Sequence, residues 1–293
     1  MLMPFELLSP VNLSEAVKII SEFGDECKIM AGGTDVLAAM HSGSINPNYV
    51  VDIKGVRELL GEPVFDINGL MIPALTTHDE LEYTPEVKEH YAALLDGVSC
   101  IGSVQTRVRG TIGGNICNAV PSGDTLGPLL ALDAVLSLFG PKGRRELLFE
   151  DFFLAAKKTV LKPGELLCQI NIPSPPPRFG SAYTKFGRRK GMDLALLGVN
   201  AALGLDESGY INHARIALTT AAPTPIRAKS AEEYLFGKLP SDDTLKEAAK
   251  LASSEAEPRS SWRAPAWYRR RLIETLLPET AKLALERANE IGV

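Results

Sequence analysis

The chain reads as an α+β protein of two or three units, and three observations carry that reading. Its 293 residues exceed the roughly 100–200 of a usual single domain. The first part alternates helix-periodic and strand-like runs, whereas the last part places strand candidates before helices. Between them Ser174-Pro175-Pro176-Pro177 is stiff and cannot continue a ladder, so a boundary falls there.

The first unit is expected over 1–57. Asn12-Leu13-Ser14-Glu15 precedes AVKIISEF, whose apolar residues recur at helical spacing until Gly24 stops them. Cys27–Ala31 is a short strand running into Gly32-Gly33-Thr34-Asp35, followed by a short helix (VLAAMHSG) and a strand at Tyr49–Ile53. This β-α-β unit of about 50 residues is too small to bury a core alone. The second unit is expected over 58–174, with a strand at Leu70–Pro73, a helix start at Thr77-His78-Asp79-Glu80 and a helical stretch over 86–95. Thr111–Thr125 reads as a polar loop opening into LGPLLALDAVLSLFG, a buried helix passing into a strand, and Glu165–Pro173 closes the unit as a strand. The third unit, 178–293, offers strands at Ala182–Phe186, Leu194–Leu203 and Ile211–Leu218, then helices at 228–236, 242–254 and 266–290.

Composition removes several function classes. Apolar residues make up 45% and charged residues 23%, an ordinary globular balance. The formal charge of -5 carries no basic excess for nucleic acid. No run approaches about 18 apolar residues, and the start has no basic segment followed by an apolar core, so the expected location is cytoplasmic. Cys27, Cys100, Cys117 and Cys168 lie far apart, without a C-x-x-C pair or clustered histidines. That spacing fits neither a zinc ribbon nor a ferredoxin-type cluster, so no metal ligands are assigned and the thiols are expected reduced. Any iron–sulfur cluster this protein works with belongs on another chain.

Two glycine pairs carry the chemistry. Ala31-Gly32-Gly33-Thr34-Asp35 follows a strand, where bare backbone admits close approach and successive N–H groups form an anion nest suited to a pyrophosphate. The same pattern also serves an ordinary strand–helix turn. Gly113-Gly114-Asn115 lies near Thr111, Asn118, Ser122, Gly123 and Asp124, a density of small polar groups that needs polar partners. Two diglycine turns can wrap one diphosphate while Asp124 accepts from ribose hydroxyls, so a dinucleotide stands beside a solvated polar turn as the reading. No G-x-G-x-x-G occurs, which disfavours a Rossmann site.

Ala31–Asp35 and Thr111–Asp124 closely resemble the paired flavin loops in the FAD-binding medium subunits of molybdenum hydroxylases, the carbon monoxide and xanthine dehydrogenase type. The resemblance continues through Tyr183-Thr184-Lys185-Phe186-Gly187-Arg188-Arg189, Asp193-Leu194-Ala195, Ala214–Leu218, Ala222–Ala228, Arg263-Ala264-Pro265 and Tyr268-Arg269-Arg270, in order over nearly the whole chain. It implies a two-subdomain FAD-binding fold of the vanillyl-alcohol oxidase type plus a C-terminal α+β domain. It implies non-covalent FAD, with Ala31, Gly32, Gly33, Thr34, Asp35 and Val36 along the diphosphate. Thr111, Ile112, Gly113, Gly114 and Asn115 are then expected at the diphosphate and flavin side. Asp124 matches an acidic position, Ile101 and Leu167 match apolar contacts, and Lys185, or Arg188 at the same edge, matches a basic one.

The implied function is electron transfer within a heterotrimeric oxidoreductase. A large subunit would hold the molybdenum cofactor and a small one two [2Fe–2S] clusters, with NAD+ as an example of the acceptor. No residue of this chain is then needed as acid, base or nucleophile. A self-sufficient flavin oxidase or reductase of the same fold and a cofactor-free scaffold are the rivals. Two departures stand out. The cysteine-bearing insert of relatives acting on hydroxybenzoyl-CoA is missing, and Ser260-Ser261-Trp262 replaces an acidic residue often found before the Arg-Ala pair. His41, His78, His90 and His213 read as surface or capping residues. Arg269-Arg270-Arg271 reads as a solvated helix face or as a dock for an acidic partner.

Overall fold

The structure, a computed structural model, describes residues 2–290. Three principal sheets follow one another along the chain, with a small two-stranded ribbon beside the second, and the described residues form three apolar cores. In the first, β1 (Glu6–Leu8), α1 (Leu13–Phe23), β2 (Cys27–Met30), α2 (Val36–His41) and β3 (Tyr49–Asp52) give a parallel sheet of order β1-β3-β2. The Asn12 side chain accepts from the Glu15 N–H and starts α1, and Gly24 at φ 49 stops it. Leu13, Ala16, Val17 and Ile20 share one face of α1 and are buried. β1, three half-solvated residues, has no periodic signal in the sequence.

The second sheet is antiparallel, of order β4-β5-β10-β6-β7. Its early part holds β4 (Val64–Asp66), β5 (Gly69–Pro73), α3 (His78–Tyr83), α4 (Pro85–His90), α5 (Ala92–Ser99), α6 (Val104–Arg107), α7 (Ile112–Asn118) and α8 (Leu126–Ala131). β6 (Val135–Gly140), β7 (Gly143–Leu148) and β10 (Leu166–Pro173) complete it, while β8 (Phe153–Ala155) and β9 (Lys158–Thr159) pair with each other as a separate two-stranded ribbon. Thr77 and Glu80 form a reciprocal capping box at the start of α3. The stretch expected as one helix over 86–95 is broken at Tyr91, whose φ of -129 leaves the helical region. β10 does not lie at the edge, as its late position implies. It inserts between β5 and β6.

A further correction concerns Thr111–Thr125. Residues 112–118 form the helix α7 instead of a loop, because Thr111 caps it by accepting from the Gly114 N–H at 3.1 Å. The turn after it holds Ala119 in the left-handed region at φ 48.

The third sheet is an antiparallel meander of β11 (Phe179–Phe186), β12 (Leu197–Leu205), β13 (Ile211–Thr219) and β14 (Ile226–Arg227). α9 (Lys229–Leu235), α10 (Asp242–Glu255) and α11 (Ala266–Glu290) follow. Alternate residues of β12 face opposite layers, as the two-residue period of a strand requires. Leu197, Val199, Ala201, Leu203 and Leu205 join the core beneath the helices, while Ala202 joins the core of the second sheet. Every residue of β12 is therefore buried. The expected strand start at Leu194 moves to Leu197, since residues 187–196 form a loop. α8 rests on this sheet through bare backbone, for a Cβ on Gly127 would stand 2.1 Å from Asn200 Nδ2.

Candidate functional site

β2 ends at Met30 and the chain turns through Ala31–Asp35 into α2. Gly33 sits at φ +78, the left-handed region that disfavours other residues. Gly32 is bare for a different reason. A Cβ there would lie 1.8 Å from the Arg109 carbonyl oxygen, so the turn packs directly on the 109–110 backbone. That contact joins the first unit to the segment entering α7. Beyond it, the backbone N–H groups of Gly33, Thr34, Asp35 and Val36 donate to no protein acceptor among the described residues. Thr34 and Asp35 are exposed, so the group of donors faces outward. Four unengaged amides at a glycine turn fit an anionic ligand such as a diphosphate.

The second glycine pair is arranged otherwise. The N–H groups of Ile112, Gly113 and Gly114 are already engaged, by Thr76 O, Ala74 O and Thr111 Oγ1. They are not free to cradle a phosphate, which corrects the symmetric wrapping read from the sequence. Gly113 is required by packing, since its Cβ would stand 2.5 Å from Ala74 O. Gly114 is helical, and around its Cβ position only Thr111 Oγ1 at 2.9 Å and Ala31 Cβ at 3.9 Å come near. Its open side faces the first turn. The capping hydroxyl of Thr111, held by the Gly114 N–H, is itself a packing reason for a glycine here, and toward Ala31 the position is open.

From Gly114 the remaining residues follow in a continuous line. Asn115 Oδ1 accepts from Thr125 Oγ1 at 2.8 Å, and its amide nitrogen has no protein acceptor among the described residues. Next to Thr125, Asp124 is buried, and both carboxylate oxygens are engaged. The Tyr183 hydroxyl donates to Oδ1 and Lys185 Nζ to Oδ2, each at 2.7 Å. Burial pushes the Asp124 carboxyl above the usual carboxylate range, opposed by Lys185 and then by the Tyr183 hydrogen bond. Burial, then the charge of Asp124, holds the Tyr183 hydroxyl well above the ordinary phenol range and keeps it a donor. Each oxygen of Asp124 retains a second lone pair.

Lys185 also donates to Cys100 O at 3.0 Å, which brings Ile101 beside the line. Ile101 is half-buried, and its carbonyl accepts from Arg107 at 3.3 Å. Leu167 lies below, buried in the core that holds Ile112 and Ile116, at a register shift in β10. The structure therefore brings together Ala31–Val36, Gly114, Asn115, Asp124, Lys185 and Ile101. Ile112, Gly113 and Leu167 support the line from the core, and Thr111 caps its helix. Arg188 is set apart from Asp124: it pairs with Asp193 within its own loop.

Several contributors escaped the sequence reading. Tyr183 carries the Asp124 contact, and its position two residues before Lys185 on a strand puts both on one face. Arg109 and Gly110 give the surface on which Gly32 rests. His78 is buried rather than superficial, with its backbone N–H donating to Gly110 O at 3.0 Å and its ring Nδ1 unpartnered. Burial, with Arg107 adding, lowers its pKa to about 4, so the ring is neutral. Arg269 likewise proves buried. All four cysteines are free, and among the described residues no three His, Cys, Asp or Glu side chains cluster as a metal site. No described helix is long and apolar enough to cross a membrane.

Comparison with known proteins places the chain in a family. Residues 3–175 match the family described as the FAD binding domain in molybdopterin dehydrogenase, and residues 181–283 that of the CO dehydrogenase flavoprotein C-terminal domain. The xanthine dehydrogenase FAD-binding subunit of Escherichia coli is 33% identical over 278 residues, covering 94% of each chain. The carbon monoxide dehydrogenase medium chain of Hydrogenophaga pseudoflava is 31% identical over 284 residues, covering 97% of this chain and 98% of its own. Among solved structures, a carbon monoxide dehydrogenase chain from that organism superposes with TM-score 0.93 at 31% identity, over 98% of this chain and 99% of its own. A quinoline 2-oxidoreductase chain from Pseudomonas putida gives 0.90 at 26% identity over the full length of both.

Proposed function

The chain belongs to the FAD-binding subunits of the molybdenum hydroxylase family, and on that premise we propose that it is the electron-transfer subunit of a three-subunit oxidoreductase. In this reading it takes electrons from [2Fe–2S] clusters on a small partner subunit and hands them to an acceptor such as NAD+. The substrate is oxidised at a molybdenum cofactor on a large partner.

Bound FAD supplies the redox chemistry. This chain binds and orients it. The amides of Gly33–Val36 hold the diphosphate, Gly114 leaves room beside it, and Asn115 and Asp124 address the polar groups beyond. Lys185 fixes Asp124 and adds positive charge at that end. The units 1–57 and 58–174 hold the cofactor between them, and 178–293 closes the end where Lys185 enters. The observation that supports this reading is a turn of unengaged amides at Gly33–Val36 whose neighbour Ala31 lies beside the Gly114 position, from which Asn115 and Thr125 lead to the Asp124–Lys185 pair.

The subunit is expressed alone and with its partner subunits, and flavin bleaching is followed anaerobically as candidate organic substrates are added. The expected result is FAD, rather than FMN, released on denaturation, with bleaching in the assembled complex only. Bleaching in the isolated subunit would mark it as an oxidase in its own right and end the electron-transfer reading. A colourless chain that takes up no added FAD would end the site assignment.

A further inference from the structure

The loop 187–196, between β11 and β12, begins two residues after Lys185, and segment 257–269 leads into and opens α11 alongside it. Together they expose Trp262, Trp267, Met192 and Leu194, with Trp262 80% and Trp267 68% accessible. Arg188 lies over the Trp262 ring at 4.6 Å and Arg263 at 5.4 Å. Trp267 stands 5.7 Å from Tyr268, whose ring stands 6.3 Å from Phe186. The two segments thus form one surface.

Its charge is lopsided. The segments carry six cations, Arg188, Arg189, Lys190, Arg259, Arg263 and Arg269, against Asp193 and Glu257, in a chain whose formal charge is -5. Asp193 is already paired with Arg188. Arg269 is buried at 3% exposure and bonds only to neutral groups, the Leu196 carbonyl and Ser261 Oγ, with Nε unpartnered. A buried guanidinium without a carboxylate is costly unless compensating negative charge arrives. Exposed tryptophans flanked by arginines are the composition of interface hot spots rather than of a solvated surface.

We infer that this platform, Trp262 between Arg188 and Arg263 with Trp267 at its side, is the docking surface for an acidic face of the iron–sulfur partner subunit. The inference rests on the electron-transfer reading above. The platform suits that partner because Arg188 is three residues from Lys185, at most about 10 Å along an extended chain. A protein seated there stands next to the cofactor line. The positive field steers an acidic partner and the tryptophans hold it.

The FAD-loaded full chain is titrated with the purified iron–sulfur subunit at 50 and 300 mM salt. Trp262→Ala and Arg263→Glu should each weaken binding at least tenfold while FAD content and thermal midpoint stay at parental values. Binding by the parent should fall with salt, Arg263→Glu should flatten that dependence, and Arg263→Lys should restore it. Both variants binding within twofold of the parent would overturn the proposal, as would parental binding insensitive to salt. A homodimer of the isolated chain broken by Trp262→Ala would assign the platform to a second copy and overturn it too. A parent without FAD would instead strike the functional reading, so the two failures are distinguishable.

Discussion

The Tyr183 hydroxyl donates to Asp124 Oδ1 at 2.7 Å, across 59 residues of chain and from the third sheet to the turn before α8. Lys185, on the same face of β11, takes the other oxygen. One buried carboxylate therefore ties the C-terminal unit to the line of cofactor residues. Asp124→Ala would leave Lys185 largely buried without a counter-ion and should lower stability by about 3 kcal/mol. Tyr183→Phe should cost about 1 kcal/mol, the net worth of one hydrogen bond. Urea denaturation of the FAD-free chain measures both, and equal losses would show that the ion pair contributes nothing beyond a neutral bond.

Gly32 and Gly114 should respond differently to the same change. Gly32→Ala must displace the Arg109–Gly110 backbone, so both the thermal midpoint and FAD retention should fall. Gly114→Val should largely keep the fold, at the cost of shifting the Thr111 cap hydroxyl that stands 2.9 Å from its Cβ position. It should nevertheless lose FAD retention, because a β-branched side chain fills the space beside Ala31 of the first turn. Thermal scans with and without added FAD separate the two outcomes. Tight FAD binding by Gly114→Val would remove that position from the site.

His78 gives the fold an acid sensitivity. Its ring loses its proton near pH 4 in the folded chain but near pH 6.5 when unfolded. Between these values the unfolded chain binds a proton that the folded chain refuses, so stability falls as pH drops below about 6.5 and levels off below about 4. The expected loss from this group is about 3 kcal/mol. His78→Leu should flatten the curve over that window in denaturation at stepped pH, and an unchanged slope would assign the acid sensitivity elsewhere.

Arg287 of α11 reaches Asp96 of α5 at 2.7 Å and also donates to Ser181 O at 2.8 Å. Both side chains are about one-quarter exposed. Arg287→Ala should cost roughly 2 kcal/mol, since hydrogen bonds to charged groups contribute about 1.5–3. Limited proteolysis near Pro175–Pro177 should accelerate in the variant if this pair holds the third unit in place.

Much of this architecture was legible because local signals were strong. Asn12 and Gly24 bracket α1, Thr77 and Glu80 mark the start of α3, and the apolar run at β12 announces a strand covered on both faces. The first glycine turn was legible for the same reason, as strand, glycine pair and helix occur in succession. α7 was not, because glycines at 113 and 114 and asparagines at 115 and 118 are poor helix formers, and only packing on Ala74 and Thr76 makes the helix favourable. The sequence around Gly32 reads as room for a ligand, whereas its neighbour Arg109 lies 77 residues away and no local pattern announces it. Arg269 shows the same limit. Three consecutive arginines look solvated until α11 turns the first of them inward.

The place of β10 has a consequence for how the chain matures. Leu166–Pro173 must enter between β5, made about a hundred residues earlier, and β6, and it pairs with both. Until Pro173 has left the ribosome, β5 and β6 have no common neighbour, and the ledge on which Ala74 and Thr76 anchor α7 is incomplete. At roughly 5–20 residues per second, some seconds separate synthesis of the first glycine turn from the moment the second can be set against it. Competence to take up the cofactor is therefore gained late and in one step, and a truncation that removes 166–173 should yield a chain that captures none.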